Sequence, residues 1–561
     1  MAKMIEIADL TFTYGSRTAP SLAGVQLTIA AGEFVLITGK TGCGKSTLLK
    51  TLNGLIPHES GGRMTGCVRV AGRDTRDIAV SSLSGVVGLV FQNPEDQIFA
   101  TRVYDEVAFV LENAGLAIAA VGERVHEALA QVGLAGLEEA GVHTLSGGQK
   151  QRLALAAVLA ARPRVIALDE PISQVDPEGA AELLQLLARL NREQGVTVIV
   201  VEHRLQEVAP VCRRLVVMDG GRIIWDGTTA DALADPKVLV EQGLRLPQPV
   251  AICHGLKILP PAADVCGAIA AIGAAFPDLD PRAVAEPVAT RPPAGDELVS
   301  VCNLSFRYSG HGPVILNDIS FTLRRGEVVA VMGANGAGKS TLLQVINGLL
   351  PSGKGTVLVR GRRPQPGGGD VGQVMQNPDL MLFCPTVARE IAFGGADRRQ
   401  VAGLLSGLGL TGLEDDFPLA LSRGQRLRVA VAAVLACRPA VLLLDEPTTG
   451  QDIAHIGDIA RLAGEVAAGG GAVVFCTHDG EVAARYASRI VVMAYGRIIL
   501  DGSPREIFSR ADRLAAAGVR QPPAVVISRV LVGRAALTEE EAVAFVRQAC
   551  VGSGCGRNPH P

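Results

Sequence analysis

The sequence predicts an α/β chain made of two tandem copies of one domain. Three repeated observations carry that reading. A short apolar run, Glu33–Thr38, leads into a glycine loop and then a helical stretch, Ser46–Asn53, and the same succession returns at Glu327–Met332 and Gly333–Thr341. An apolar strand ends in two carboxylates at Val165–Glu170 and again at Val441–Glu446. A third apolar strand ends in a histidine at Val196–His203 and again at Ala472–His478. At 561 residues the chain has room for roughly three or four domain-sized units.

The glycine loops fit G-x-x-x-x-G-K-[ST] twice. The first is Gly39, Lys40, Thr41, Gly42, Cys43, Gly44, Lys45, Ser46 and Thr47. The second is Gly333, Ala334, Asn335, Gly336, Ala337, Gly338, Lys339, Ser340 and Thr341, with Lys339 lying 294 residues after Lys45. Strand, loop and helix is the setting in which this pattern binds phosphate. Glycines let backbone N–H groups converge on phosphate oxygens, and the helix N-terminus adds partial positive charge. Lys45 and Lys339 reach the β- and γ-phosphates, and the Ser46 and Ser340 hydroxyls sit on Mg²⁺.

The bulk numbers exclude several classes. A net charge of −3 and a pI of about 6.3 give no basic field for nucleic acid. Eleven cysteines are scattered with no C-x-x-C, so buried thiols in a reducing compartment are expected rather than a disulfide framework. Cys550 and Cys555 lack histidine partners and make no metal set. The N-terminus has no apolar signal region. No apolar run reaches the ~18–20 residues of a spanning helix; Leu153–Ala161, Cys266–Phe276 and Val429–Cys437 are of core-helix length. The chain is expected to be soluble or peripheral, with any membrane part supplied by another chain.

Taken in order, Ile5–Tyr14 and Val25–Ile29 alternate as edge strands do. Tyr14 and Tyr308 hold matching places before a loop, where each can stack on a purine ring. Val86–Gln92 and Val371–Gln376 are strands ending in glutamine, and Gln92 and Gln376 can reach both Mg²⁺ and the attacking water. Residues 103–140 and 387–420 read as short helices. Ser146, Gly147, Gly148 and Gln149 open an apolar helix, as do Ser422, Arg423, Gly424 and Gln425. Such a helix end presents N–H groups and a hydroxyl to an anion. Each copy already has its own phosphate loop, so each of these ends is expected to face the nucleotide of the other copy. Asp169 and Asp445 are placed to hold Mg²⁺, and Glu170 and Glu446 to polarise water. Adjacent carboxylates closing an apolar strand are costly without a function. His203 and His478 are candidates for γ-phosphate contact. Ser173–Asp176 and Thr449–Asp452 are read as turns.

With these motifs in this order twice, the chain resembles nucleotide-binding subunits of the ATP-binding cassette (ABC) family. The likeness implies two tandem P-loop NTPase domains, each with a RecA-like core, an antiparallel β subdomain and a helical subdomain, plus small C-terminal appendages. It implies an ATPase using ATP and Mg²⁺, with two composite sites. One pairs Lys45, Gln92, Glu170 and His203 with Ser422–Gln425; the other pairs Lys339, Gln376, Glu446 and His478 with Ser146–Gln149. ATP would close the halves and hydrolysis release them. Arg423 departs from the family's first signature glycine, so that site is expected to be altered rather than dead.

More narrowly, Phe91–Phe99 resembles the glutamine loop and following helix of energy-coupling factor (ECF) transporter ATPases. In that family the neighbouring groove takes a coupling helix from a transmembrane partner. Leu380 and Met381 replace Asp96 and Gln97 in the second copy, so the grooves should differ. Glu202-His203-Arg204 resembles the first half of single-chain forms associated with uptake of vitamins or their precursors. The implied partners are an ECF-type T component and a substrate-binding membrane component, at the cytoplasmic face of the membrane. The implied cargo is a vitamin, a vitamin precursor or a metal ion. Two other readings stay open: a sugar-type tandem import ATPase, whose second phosphate loop is often degraded, and a tandem ATPase acting on ribosomes or DNA, which usually carries a charged linker or a cysteine-rich segment.

The expected divisions are residues 1–245 and 296–520 for the two ATPase domains, 246–295 for an appended element and linker, and 521–561 for a C-terminal element. Leu246–Ile252 and Gln521–Ile527 match at an offset of 275. Each is followed by a helical stretch, Asp264–Phe276 or Thr538–Cys550, the latter opening on a Thr538…Glu541 capping box. Pro281–Pro293 is read as the linker's flexible part. In the ECF family such tails help to hold two ATPases together.

Overall fold

A computed structural model describes residues 2–15, 18–173, 175–285, 295–309, 312–448, 451 and 453–551. Gln174, Thr449, Gly450 and Asp452 of the two turns, residues 286–293 of the linker, and Cys555 lie outside the described residues. The chain divides into two compact units, Met1–Pro247 and Gln248–Pro561.

In the first unit the strands are β1 Lys3–Tyr14, β2 Leu22–Ala30, β3 Phe34–Gly39, β4 Gly62–Val70, β5 Arg73–Asp74, β6 Val87–Val90, β7 Val165–Asp169, β8 Thr197–Val201, β9 Arg214–Asp219 and β10 Arg222–Thr228. They form an antiparallel sheet, β2-β1-β4-β5, and a six-stranded sheet, β10-β9-β3-β8-β7-β6. In the larger sheet only β9 and β10 run antiparallel. Strands β3, β7 and β8 are buried along their whole length, which is why they read as unbroken apolar runs. One core fills the space between the sheets, with Ile5, Phe12, Val35, Ile37 and Leu48 among its members. Strand β1 lies between β2 and β4, not at an edge as its alternation suggested. Alternation reports one buried face and says nothing of neighbours on either side.

The second unit repeats the plan with β11 Glu297–Phe306, β12 Leu316–Arg324, β13 Val328–Met332, β14 Lys354–Val359, β15 Val371–Val374, β16 Val441–Asp445, β17 Ala472–Cys476, β18 Arg489–Ala494 and β19 Arg497–Gly502. Its sheets are β12-β11-β14 and β15-β16-β17-β13-β18-β19. In each unit short helices pack beside the signature helix, Gly147–Ala160 or Arg423–Ala436: Val103–Asn113 and Ile118–Gln131 in the first, Val387–Ala392 and Arg398–Gly407 in the second.

The second unit also contains both appended tails. Helices Gln248–Gly255 and Val265–Ala275 pack with Pro523–Val532 and Glu539–Val551 around one core that includes Ile252, Ile272, Ile527, Phe545 and Val546. Buried Gln248 joins them: its Oε1 accepts from the Ala524 N–H at 2.9 Å, and its Nε2 donates to Glu539 at 3.1 Å. Part of the stretch read as flexible is ordered: Pro281–Ala283 forms a 3₁₀ turn, and Val284 is buried in the same core.

Candidate functional site

The parallel strands bring the phosphate loop, the carboxylates and the histidine of each unit to one edge. β3 pairs with β8, β8 with β7 and β7 with β6, all parallel, so their C-terminal ends meet. Ligands of such sheets bind there. β3 ends on Gly39 at φ 141, where an added Cβ would lie 2.0 Å from the Met218 carbonyl oxygen. Gly333 repeats this at φ 151, with 2.2 Å to the Met493 carbonyl. Only glycine lets the loop leave the strand so close to its neighbour. The loop then turns into helix Lys45–Leu52, or Lys339–Ile346 in the second unit.

Both lysines are buried and reach back over their loops. Lys45 Nζ donates to the carbonyls of Gly39 at 2.8 Å and Lys40 at 2.9 Å; Lys339 Nζ donates to Gly333 at 2.8 Å and Ala334 at 3.1 Å. Each ammonium thus stands over the curl of backbone N–H groups that a phosphate would enter. Tyr14 Oη lies 3.3 Å from Thr47 Oγ1, and Tyr308 Oη 3.1 Å from Thr341 Oγ1, so both rings stand beside the phosphate-loop helix. Cys43 packs under the first loop, where burial raises its thiol pKa.

The carboxylates follow. Burial first, and Glu170 beside it second, push Asp169 up to about 6. Burial does the same to Asp445, also to about 6, against a lowering hydrogen bond from Ser340. Ser46 hydrogen-bonds Asp169. Oδ1 of each aspartate is buried without a hydrogen-bond partner among the described residues. A buried carboxylate oxygen with no protein donor, next to a hydroxyl, is the oxygen set a hard divalent cation takes. The residues therefore fit Mg²⁺, which Ser46 and Asp169 would hold in one unit and Ser340 and Asp445 in the other.

Glu170 and Glu446 leave their strands in the left-handed region, at φ 46 and φ 51. Non-glycine residues persist there only when the surroundings hold them. Burial alone would raise both carboxyls. The neighbouring histidines, His203 and His478, with Lys45 and Lys339, more than offset it and hold them below the usual range. Glu170 accepts from Gln92 Nε2 at 2.6 Å and lies 3.3 Å from His203 Nε2. Glu446 lies 3.0 Å from His478 Nδ1. Gln376, however, is exposed and makes no hydrogen bond with a described residue, so the structure gathers the first glutamine into its site and leaves the second outside.

Ser146 and Ser422 cap their signature helices, each accepting from the N–H of Gln149 or Gln425 at 3.3 Å in a full capping box. Gly147 and Arg423 occupy the first helical position, followed by Gly148 and Gly424. The next residue ties this helix to the glutamine segment: Lys150 to Glu95 at 2.5 Å, and Arg426 to Asp379 at 2.8 Å.

That segment carries a feature sequence reading missed. Phe99 and Phe109 meet edge to face with centroids 4.4 Å apart, and Phe383 and Phe393 do so at 4.8 Å. All four rings are exposed, Phe383 by 65% and Phe393 by 70%, with Leu380 beside them at 76%. Buried Glu106 accepts the N–H groups of Phe99 and Ala100; buried Glu390 does the same for Phe383 and Cys384. The shared offset of 284 residues was the signal that could have found them. The two segments differ in one contact: the Met375 N–H faces Met381 sulfur at 3.2 Å, where in the first copy the Phe91 N–H meets Gln97 Oε1 at 3.0 Å.

Comparison with known proteins gives the family. The ABC transporter family profile matches residues 22–173 and 316–449. An ABC transporter ATP-binding protein of Methanosarcina acetivorans is 43% identical over 99% of this chain and 93% of its own length. One from Methanosarcina mazei is 43% identical over 94% of each. Among solved structures, cbiO1 of Clostridium perfringens, described as part of the ABC transporter complex cbiONQ, is 32% identical over 45% of this chain and all of its own, with a TM-score of 0.39. The chain belongs to the ABC transporter family as an ATP-binding protein with two ATPase segments, and its activity is ATP hydrolysis.

Proposed function

We propose that this ABC ATPase is the energy-coupling subunit of an ECF-type uptake transporter for a vitamin, a vitamin precursor or a metal ion. It works at the cytoplasmic face of a membrane, beside separate T and substrate-binding components. The observation that carries this reading is the exposed aromatic pair in each unit, fixed by a buried glutamate and joined by an ion pair to the signature helix. Exposed aromatics held rigidly on a surface suit an apolar partner helix. The ion pair gives a path from the nucleotide edge to that surface. Among the described residues no helix is long and apolar enough to cross a membrane.

At each site Lys45 or Lys339 stabilises the β- and γ-phosphates. Mg²⁺, when bound, neutralises charge building on the phosphate oxygens. Glu170 or Glu446 orients and polarises the attacking water. His203 or His478 contacts the γ-phosphate, and Tyr14 or Tyr308 stacks on the base. Gln92 reports occupancy to its aromatic surface; Gln376 needs to move inward to do the same.

The test is to tag the Glu170→Gln/Glu446→Gln chain, express it in its own host, solubilise membranes gently and identify what copurifies. A small integral membrane protein together with a second, substrate-binding one is the expected result. Phe383→Ser/Phe393→Ser should reduce that capture. Ribosomal proteins alone, or no membrane protein, would sink the transporter reading.

A further inference from the structure

Glu202 precedes His203 and is 2% exposed. Its Oε1 accepts the Ile172 N–H at 3.1 Å, and its Oε2 the His203 N–H at 3.1 Å. Arg204 Nη1 donates to the Ile172 carbonyl at 3.0 Å, and its Nη2 to Glu207 at 2.7 Å. Ile172 is therefore gripped at both its N–H and its C=O by residues flanking His203. Ile172 lies two residues after Glu170, which is itself held left-handed and 3.3 Å from His203. The contacts close a ring: the loop bearing Glu170 is fixed to the loop bearing His203 by two points of backbone and one of side chain.

A buried carboxyl here is costly. Burial first, and Glu170 second, push Glu202 up to about 8. The second unit does without it. Thr477 and Asp479 stand where the first has Glu202 and Arg204. Thr477 Oγ1 accepts the Asp479 N–H at 3.0 Å, and Asp479 Oδ1 accepts the N–H groups of Glu481 and Val482, capping its own helix. These contacts are local to their own turn.

We propose that Glu202 and Arg204 are positioning residues of the first ATP site, holding Glu170 in register with His203, and that the second site, lacking them, hydrolyses ATP at a different rate. The inference rests on the reading of Glu170 as the water-orienting group. A group that orients water must stay within hydrogen-bond reach of it, and displacements near 1 Å cost on the order of 100-fold in rate. Such a clamp acts on the chemical step and not on nucleotide binding.

The test uses the full chain with Glu446→Gln, so that turnover reports the first site. Assayed in that background above pH 8, where Glu202 is ionised, Glu202→Gln keeps the volume but loses one of the two accepted N–H bonds, since an amide offers one oxygen. Arg204→Ala removes the carbonyl contact together with the pair to Glu207, and serves if Glu202→Gln fails to fold. Each should lower kcat by about tenfold, with KM for ATP and fluorescent-nucleotide affinity unchanged. Because the two side chains grip one residue, Ile172, the double variant should lose little more than the worse single. Unchanged kcat in both singles, or kcat falling only in step with KM, overturns the clamp. Glu170→Gln in the same background separates the two claims. If it stays active, the role of Glu170 falls and the clamp with it; if it is dead while the Glu202 and Arg204 variants match their parent, only the clamp falls.

Discussion

Asp169 and Asp445 show at the scale of a single side chain what the site demands. Their folded values near 6 stand above the ordinary 3.8. A carboxyl raised on folding adds stability that is complete below its unfolded value and is lost as pH rises through its folded one. At neutral pH each ionised aspartate therefore works against its unit until a cation joins it, at a cost on the order of 2–3 kcal/mol. Asp169→Asn should raise the melting temperature of the nucleotide-free protein at pH 7.5 by several degrees. The gain should shrink towards pH 5, and stabilisation by Mg-ATP should fall with it; a lower melting temperature at both pH values would count against a strained carboxylate. Lys45→Ala and Lys339→Ala each remove a charged donor from a phosphate loop. Each should weaken ATP binding at its own site by about 10–100-fold, as expected for a hydrogen bond to a charged group. Normal titration of both sites in the double variant would refute the phosphate-loop assignment. These residues were legible in the sequence because their chemistry tolerates few substitutes. Gln92 and Gln376 looked equivalent there and are not: the amide that meets Glu170 has an exposed counterpart, and only the fold around each strand end separates them.

Among elements, the strand–loop–helix units and the carboxylate strands could be read directly, since an unbroken apolar run between glycine turns has few other uses in an α/β chain. Gly39→Ala tests the tightest of them. At φ 141 and 2.0 Å from a carbonyl oxygen, a methyl group forces the loop off its strand. ATP binding to the first unit should be lost while the second still titrates, which isothermal titration of the full chain would resolve as one site in place of two. The appended helices were legible as helices but not in their pairing. Val265–Ala275 reads VCGAIAAIGAA, small and apolar on nearly every face, so its sequence does not say which face meets a neighbour. The exposed aromatic pairs escaped for the opposite reason. Phenylalanine is ordinarily read as core, and nothing local distinguishes a ring that the fold leaves in solvent.

For the whole molecule, the division falls at Pro247, at the start of the stretch read as an appended element and linker. A fragment of residues 1–247 should be soluble and fold cooperatively. A fragment of residues 1–285 carries Ile252, Leu256 and Ile272 without the Ile527, Phe545 and Val546 that cover them, and should self-associate. Analytical ultracentrifugation of the pair checks this, and two monodisperse monomers would mean that the first tail is stable alone. Repetition made the two ATPase copies legible at this scale. That the tails pack together was expected only from the family resemblance; two matching segments by themselves give equal reason to expect two separate appendages.

The shared helical core also bears on what the peptide link between the copies is for. Were the chain cut anywhere within residues 286–294, the leading piece would keep Gln248–Gly255 and Val265–Ala275 seated against Pro523–Val532 and Glu539–Val551 of the trailing piece. The halves would then survive as a nicked pair, kept at high local concentration by packing instead of by sequence. Split between two genes with a boundary in that stretch, the protein should reassemble from its parts.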